Sequence, residues 1–185
     1  MDLVANSDQH GLFWYEIPAD PRQAWPPHEI ASVTAHEVHG GVSPKAVGDI
    51  DGDGDPDVVT AQAWYENLGQ GRAWKPHRNL DLGEKHRYGV AVKTWVGDLD
   101  GDLDVYSGAG PLSGSKKFAC YLWENGGRGK SWIEHELLAG KQCHEAEAGD
   151  VDGDGDMDIC TKPWDGGNDH LFLENRMRDP SGRKR

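Results

Sequence analysis

Residues 49–57 read Asp-Ile-Asp-Gly-Asp-Gly-Asp-Pro-Asp, and residues 150–158 read Asp-Val-Asp-Gly-Asp-Gly-Asp-Met-Asp. A shortened version, Asp-Leu-Asp-Gly-Asp-Leu-Asp, occupies residues 98–104. We refer to these three segments, in chain order, as the first, middle and last Asp loops. They begin 49 and then 52 residues apart. A period near 50 residues indicates an array of similar units, as in propellers and solenoids.

Each repeat also carries an aromatic segment and a Trp-x-x-His segment. The aromatic segments occupy residues 13–16, 64–67, 122–125 and 172–175, and the Trp-x-x-His segments occupy residues 25–28, 74–77 and 132–135. Short runs rich in β-branched and aromatic residues, separated by many of the 25 glycines and 10 prolines, are typical of short strands and tight turns. We therefore predict an all-β chain built from β-propeller blades of four antiparallel strands, with the fourth strand beginning at the histidine of each Trp-x-x-His.

The repeat predicts two complete and two partial blades. A partial blade that lacks its first strand covers residues 1–43, a blade with a full Asp loop covers 44–89, and a blade with the shortened loop covers 90–143. Residues 144–185 form a partial blade with a full loop and a basic tail. A propeller closes to remove its sheet edges, and about four blades are the minimum. We therefore expect either a homo-oligomer or further blades of a longer chain.

The net charge of −13 is concentrated in the Asp loops, which hold fourteen of the 32 acidic residues. Without them the chain sums to about +1. Like charges at this density repel one another unless a cation lies among them. The charge pattern therefore argues against nucleic acid as a partner.

The spacing of the full loops is suited to Ca²⁺. Carboxylates at alternate positions can fold around the ion, a glycine at position 6 allows the sharp turn, and Asp57 or Asp158 at position 9 can close the shell. The middle loop is two residues shorter and lacks that glycine, so a weak site or none is as compatible with its sequence as full occupancy. The candidate ligands are Asp49, Asp51, Asp53, Asp55, Asp57, Asp150, Asp152, Asp154, Asp156 and Asp158, and more weakly Asp98, Asp100, Asp102 and Asp104.

The Asp loops resemble those of the FG-GAP/VCBS repeat family, which includes integrin α-subunit propellers and many secreted bacterial and fungal proteins. The resemblance covers nearly the whole chain. It implies a β-propeller with structural calcium, an extracellular or periplasmic location, and binding of a ligand such as a carbohydrate. Some relatives are lectins, and others are sugar-processing enzymes such as aldos-2-ulose dehydratases and polysaccharide lyases, so the loops do not specify the function.

The face opposite the Asp loops is the predicted recognition face. The connections between second and third strands lie there, and they vary from 7 residues (57 to 64) to 19 residues (104 to 123). Imidazole beside carboxylate can perform acid–base chemistry or bind a second metal, whereas the competing interpretation is that these histidines only hydrogen-bond neighbouring blades. The candidate catalytic residues are His39, His86, His144 and Glu145, and the candidate ligand-binding residues are Trp95, Lys162, Trp164 and Asp165.

Two functions therefore remain open: a non-catalytic binding or assembly module stabilised by calcium, and a carbohydrate-active lyase or dehydratase. No signal peptide opens this chain, and no apolar run approaches the roughly 18 residues of a membrane-spanning helix, so we expect no membrane insertion. The three cysteines, Cys120, Cys143 and Cys160, allow either one disulfide with a buried thiol or three reduced core thiols.

Overall fold

The computed structural model describes residues 2–7, 9–32, 46–60, 63–80, 90–98, 101–109, 119–140, 145–162 and 170–176. At residues 90–95, 108, 109, 119 and 145 it describes the backbone alone. This described part of the chain contains β-strands and no helix. It accordingly offers no helix long and apolar enough to cross a membrane.

The strands form four antiparallel sheets, and each sheet pairs strands that follow one another along the chain. The first sheet contains β1 (Leu3–Ser7), β2 (Gly11–Tyr15) and β3 (Pro27–Ala31). The second contains β4 (Val47–Gly48), β5 (Asp57–Val59), β6 (Trp64–Asn67) and β7 (Trp74–His77). The third contains β8 (Val90–Asp98), β9 (Leu103–Ala109), β10 (Ala119–Asn125) and β11 (Trp132–Ala139). The fourth contains β12 (Glu145–Gly149), β13 (Asp158–Lys162) and β14 (Leu171–Leu173).

The predicted all-β class and antiparallel sheets are confirmed. Within the described ranges the four sheets do not close into a ring. Two predicted strands were placed too late: β7 ends at His77 instead of beginning there, and β11 begins at Trp132, three residues before His135. His77 pairs with Trp64, which fixes the strand before the histidine. Two residues later the Asn79 side chain already donates a hydrogen bond to Gly129 of the third sheet.

Alternation of side chains along the strands buries both faces of the second sheet. Val58 and Tyr65 lie in the hydrophobic cluster shared with Leu12 of the first sheet. Val59 and Trp64, their neighbours in sequence, point the other way, into the cluster shared with the third sheet. The period of two in a strand produces this division. A third cluster, formed by Tyr106, Cys120, Ala146, Ala148 and Ile159, joins the third and fourth sheets.

The first strand of the third sheet contacts both neighbouring sheets. β8 lies against β4 and β5 of the second sheet and against β12 of the fourth. Because β4, β8 and β12 each open their sheet, the corresponding edges of the three sheets lie side by side.

The cysteines differ from both sequence-based alternatives. Cys120 is disulfide-bonded, and Cys160 is a free thiol. The free thiol is exposed, not buried, because Cys160 points away from the cluster between the third and fourth sheets.

Candidate metal centres

Three carboxylates converge in the first Asp loop, between β4 and β5. Asp49, Asp51 and Asp53 each present an oxygen within 4.8 Å of the other two. The backbone holds them there: the Asp53 N–H donates to Asp49 Oδ1 at 3.0 Å and to Asp51 Oδ1 at 3.2 Å. Gly54, at φ 99°, turns the chain so that its own N–H reaches Asp49 Oδ2 at 3.0 Å.

The last Asp loop, between β12 and β13, gathers a different trio. Asp150, Asp152 and Asp158 have oxygens within 4.8 Å of one another. The N–H groups of Gly153 and Gly155 donate to the two oxygens of Asp150, at 2.7 and 3.2 Å. In this loop the carboxylate at position 9 joins the group, whereas in the first loop the carboxylate at position 5 does.

Asp156 gives the last loop an unsatisfied pair of acceptors. Both of its carboxylate oxygens are buried and accept no hydrogen bond. Burial, followed by the neighbouring Asp154, raises the pKa of Asp156 to about 6. A buried carboxylate without donors, within five alternating aspartates, is an arrangement that a cation would stabilise.

The aspartate at the end of each loop also has a structural role. Asp57 Oδ1 accepts the Asn67 N–H at 2.8 Å, and Asp57 Oδ2 accepts the Ile50 N–H at 2.9 Å. Asp158 makes the same two contacts with the backbone of Asn175 and Val151. Asp57 is fully buried, and that burial raises its pKa to about 7. This carboxylate therefore ties the loop to the third strand of its sheet.

In the middle loop the last aspartate also accepts a hydrogen bond from the third strand of its sheet, but the described residues of this loop contain no converging trio of carboxylates. Asp104 is buried, and its Oδ1 accepts the Asn125 N–H at 2.9 Å. Asp98 Oδ1 accepts the Gly101 N–H at 2.6 Å. Asp100 lies outside the described residues, so the occupancy of this loop stays a prediction.

We predict that Asp104→Ala destabilises the fold without changing calcium binding. The substitution leaves the buried N–H of Asn125 without its acceptor, which costs about 1–3 kcal/mol. Urea unfolding measures the loss, and Asp102→Ala, at an exposed position of the same loop, is the control. A drop in bound calcium for Asp104→Ala would instead assign this carboxylate to a metal site.

Most residues of the predicted recognition face lie outside the described part of the chain, namely His39, His86, His144, Trp164 and Asp165. Trp95 and Glu145 are placed by backbone alone, on β8 and β12. Lys162 ends β13 and lines a cavity of about 340 Å³ together with Cys160, His170 and Phe172. The catalytic and ligand-binding assignments therefore stay predictions.

The sequence analysis missed two glycine turns that join neighbouring sheets. Asn-x-Gly-x-Gly occurs at residues 67–71 and 125–129, and in each turn the asparagine Oδ1 accepts both glycine N–H groups. The Trp14 indole of the first sheet donates to the Gly71 carbonyl at 2.9 Å. A Cβ at Gly71 would lie 2.8 Å from Trp14 Cε2, so only glycine allows this approach. The repeated Asn-x-Gly-x-Gly pattern was the available signal.

The second glycine turn lies against the first Asp loop. A Cβ at Gly129 would lie 2.6 Å from Trp64 Cζ2 and 3.0 Å from Ile50 Cγ2. The Ile50 carbonyl accepts the Asn125 side-chain N–H at 3.2 Å. Since the Ile50 N–H is held by Asp57, one residue connects the loop carboxylates with the contact between the second and third sheets.

The Trp-x-x-His segments support the tryptophans of the adjacent strand. The His28 ring stacks on Trp14 and the His77 ring stacks on Trp64, each with ring centres 4.0 Å apart. Glu66 accepts hydrogen bonds from Lys75 and His77, and these, with the Lys75 bond first, lower the pKa of Glu66. The contacts agree with the structural role that the repeat suggests for these histidines.

A comparison with protein families gives one match. The family model for an FG-GAP-like repeat matches residues 97–161. This range begins at the end of β8 and contains the middle and last Asp loops. Comparisons with curated proteins and with solved structures found no match. Residues 97–161 of this chain are therefore similar to an FG-GAP-like repeat, which agrees with the resemblance of the Asp loops.

Proposed function

We propose that this chain is a calcium-stabilised β-propeller module for ligand binding or assembly. The observation that carries the proposal is the convergence of carboxylates in both full Asp loops, at equivalent points of two sheets. The buried Asp156, whose carboxylate oxygens accept no hydrogen bond, is a second sign of a cation site in the last loop. The FG-GAP-like repeat includes that loop.

The propeller arrangement is supported by how the sheets pack. Each consecutive pair of sheets shares one hydrophobic cluster, and the opening strands of the second, third and fourth sheets are neighbours. In a propeller the blades pack face to face and one strand of each blade lines the central channel. The opening strands would take that position here.

Calcium is the ion that this donor set suits best. The converging side chains offer only carboxylate oxygens, and hard oxygen donors favour Ca²⁺ or Mg²⁺ over metals that prefer imidazole or thiolate. Flexible loops with several carboxylates match the six to eight ligands of Ca²⁺ better than the strict octahedron of Mg²⁺.

Calcium in the first loop would stabilise more than the loop itself. Ile50 lies within the loop, and it contacts the glycine turn of the third sheet through its side chain and its carbonyl. An ion that fixes the loop would therefore also fix the contact between the second and third sheets.

An extracellular or periplasmic location belongs to the proposal. FG-GAP repeats are typical of extracellular proteins. The disulfide at Cys120 supports the same location, since disulfides persist mainly in oxidising compartments. Recognition of a carbohydrate on the face opposite the Asp loops rests on the varied loop lengths and on tryptophans suited to stacking on sugar rings.

Counting bound calcium tests the proposal. We expect flow dialysis to give two ions per chain, with Asp51→Asn and Asp152→Asn each removing one, because each carboxylate belongs to a converging group. The matched control is Asp102→Asn in the middle loop, which should still bind two. Absence of saturable binding in the unsubstituted chain would overturn the calcium assignment.

A further inference from the structure

Hydrogen bonds of one aspartate in each sheet identify equivalent residues in the four sheets. Asp2 Oδ1 accepts the Ile17 N–H at 3.3 Å, in the way that Asp57 accepts from Asn67 and Asp158 accepts from Asn175. Asp104 accepts from Asn125 in the same way in the third sheet. The residue three positions before each of the four N–H donors occupies an equivalent position in its sheet. These residues are Trp14, Trp64, Leu122 and Phe172.

The residue at this position is covered by the next sheet in the interior of the array. Trp64 is 1% exposed against the third sheet. Phe172 occupies the same place on the fourth sheet, and it is 47% exposed. Its strand partner Cys160, equivalent to the fully buried Val59, is exposed beside it and lines the cavity of about 340 Å³.

The first sheet exposes the other half of this interface. Leu3 is equivalent to Val58, which is buried against the preceding sheet, but Leu3 is 46% exposed. Its partner Tyr15 is equivalent to the buried Tyr65. The fourth sheet thus presents the face that normally meets a following sheet, and the first presents the face that normally meets a preceding one.

The turn before the last strand of each sheet is a further point of comparison, because the Trp14 ring of the first sheet lies on this turn of the second sheet, at Gly71. The Trp25 indole donates to the Pro21 carbonyl at 3.0 Å, and the Trp74 indole donates to the Gly71 carbonyl at 3.2 Å, so a proline carbonyl accepts the indole in the first sheet and a glycine carbonyl accepts it in the second. A Cβ at Gly71 would lie 2.8–2.9 Å from Cε2, Cζ2 and Nε1 of Trp14. Phe172 lacks the second ring and the N–H, so a phenylalanine leaves room for proline and needs no acceptor.

We infer that the exposed face of the fourth sheet, formed by Cys160 and Phe172, docks on the Leu3 and Tyr15 face of the first sheet of a second copy of this chain. Under a two-fold axis both contacts form at once, so each copy covers the exposed sheet faces of the other. This inference rests on the propeller arrangement proposed above. A second copy presents this face in the register of the internal interfaces, so the contact repeats one that the described sheets already make three times.

Light scattering in calcium buffer tests the association. We expect a mass near 41 kDa, twice the 20.3 kDa of one chain. Phe172→Asp should raise the dissociation constant of the dimer at least about tenfold, since it places a charge at the centre of the contact. The matched control is Ile133→Asp, at an equally exposed apolar residue of β11, which should remain a dimer.

Cross-linking tests the arrangement of the two copies. With a short bismaleimide, Leu3→Cys should form a covalent dimer through Cys160 of the other copy, whereas Ile133→Cys should not. A monomer that still binds two calcium ions would overturn the dimer and leave the proposed function intact. A dimer that links Cys160 to Cys160 would also overturn the arrangement. A dimer that binds no calcium would count against the proposed function alone.

Discussion

Removing calcium with EGTA is expected to lower the thermal unfolding midpoint by about 10 °C or more. Each ion that binds only the folded chain contributes about 2.7 kcal/mol when its concentration is about one hundred times its dissociation constant. Two occupied loops therefore contribute about 5 kcal/mol. For a chain of this size, each kcal/mol moves the midpoint by about 2–4 °C.

The charge distribution makes the loss larger than that of an ordinary ligand. Without the ion, Asp49, Asp51 and Asp53 keep carboxylate oxygens within 4.8 Å of one another, and only backbone N–H groups of the loop offset the repulsion. In the last loop, the buried Asp156 keeps two oxygens without donors. The calcium-free protein would then be destabilised at both loops.

Differential scanning calorimetry with and without EGTA measures the shift. Excess Ca²⁺ should restore the midpoint, and Mg²⁺ at the same concentration should restore less of it, because Mg²⁺ demands a stricter geometry. Asp20→Asn provides a control outside the loops, where the carboxylate pairs only with the exposed Arg22. Equal midpoints in the two buffers would contradict the calcium assignment.

The repeat made most of the strand pattern predictable. The last Asp loop, predicted to belong to a blade of antiparallel strands, lies between β12 (Glu145–Gly149) and β13 (Asp158–Lys162), because loop and strands are adjacent in sequence. The last strand of the second sheet was misplaced because a contact with another sheet decides where it ends. The Asn79 side chain donates a hydrogen bond to the Gly129 carbonyl, and the sequence near Asn79 contains no pattern that predicts this bond.

The candidate metal centres were also only partly predictable from the local sequence. The spacing of aspartates identified both full loops, yet it did not distinguish which three carboxylates converge. Asp53 belongs to the trio in the first loop, whereas Asp158 belongs to it in the last. The aspartates of the two loops are spaced identically, so their spacing alone does not determine the trio. The backbone hydrogen bonds differ as well: the Asp53 N–H donates to Asp49 in the first loop, whereas the Gly153 N–H donates to Asp150 in the last.

The glycine turns give the second large prediction. Gly129→Ala is expected to destabilise the protein by about 3 kcal/mol. The backbone at Gly129 has φ 61°, where an L side chain costs about 1–2 kcal/mol. The new Cβ would also lie 2.6 Å from Trp64 Cζ2, and overpacking of this kind costs about 1–3 kcal/mol more. Urea unfolding of the calcium-bound protein measures the sum.

Gly140→Ala separates the two contributions. Gly140 has a similar φ of 71°, but a Cβ there would meet nothing within 4 Å, so only the backbone cost should appear.

The Trp64→Phe background gives the complementary test, since it removes the atom that clashes. Gly129→Ala should cost less in that background than in the unsubstituted chain, and the difference is the coupling energy between the two positions. If Gly129→Ala costs no more than Gly140→Ala, or the same in both backgrounds, close approach of tryptophan to glycine does not hold the second and third sheets together. If the coupling appears, the contact between Trp64 and Gly129 explains why this turn of the third sheet requires a glycine.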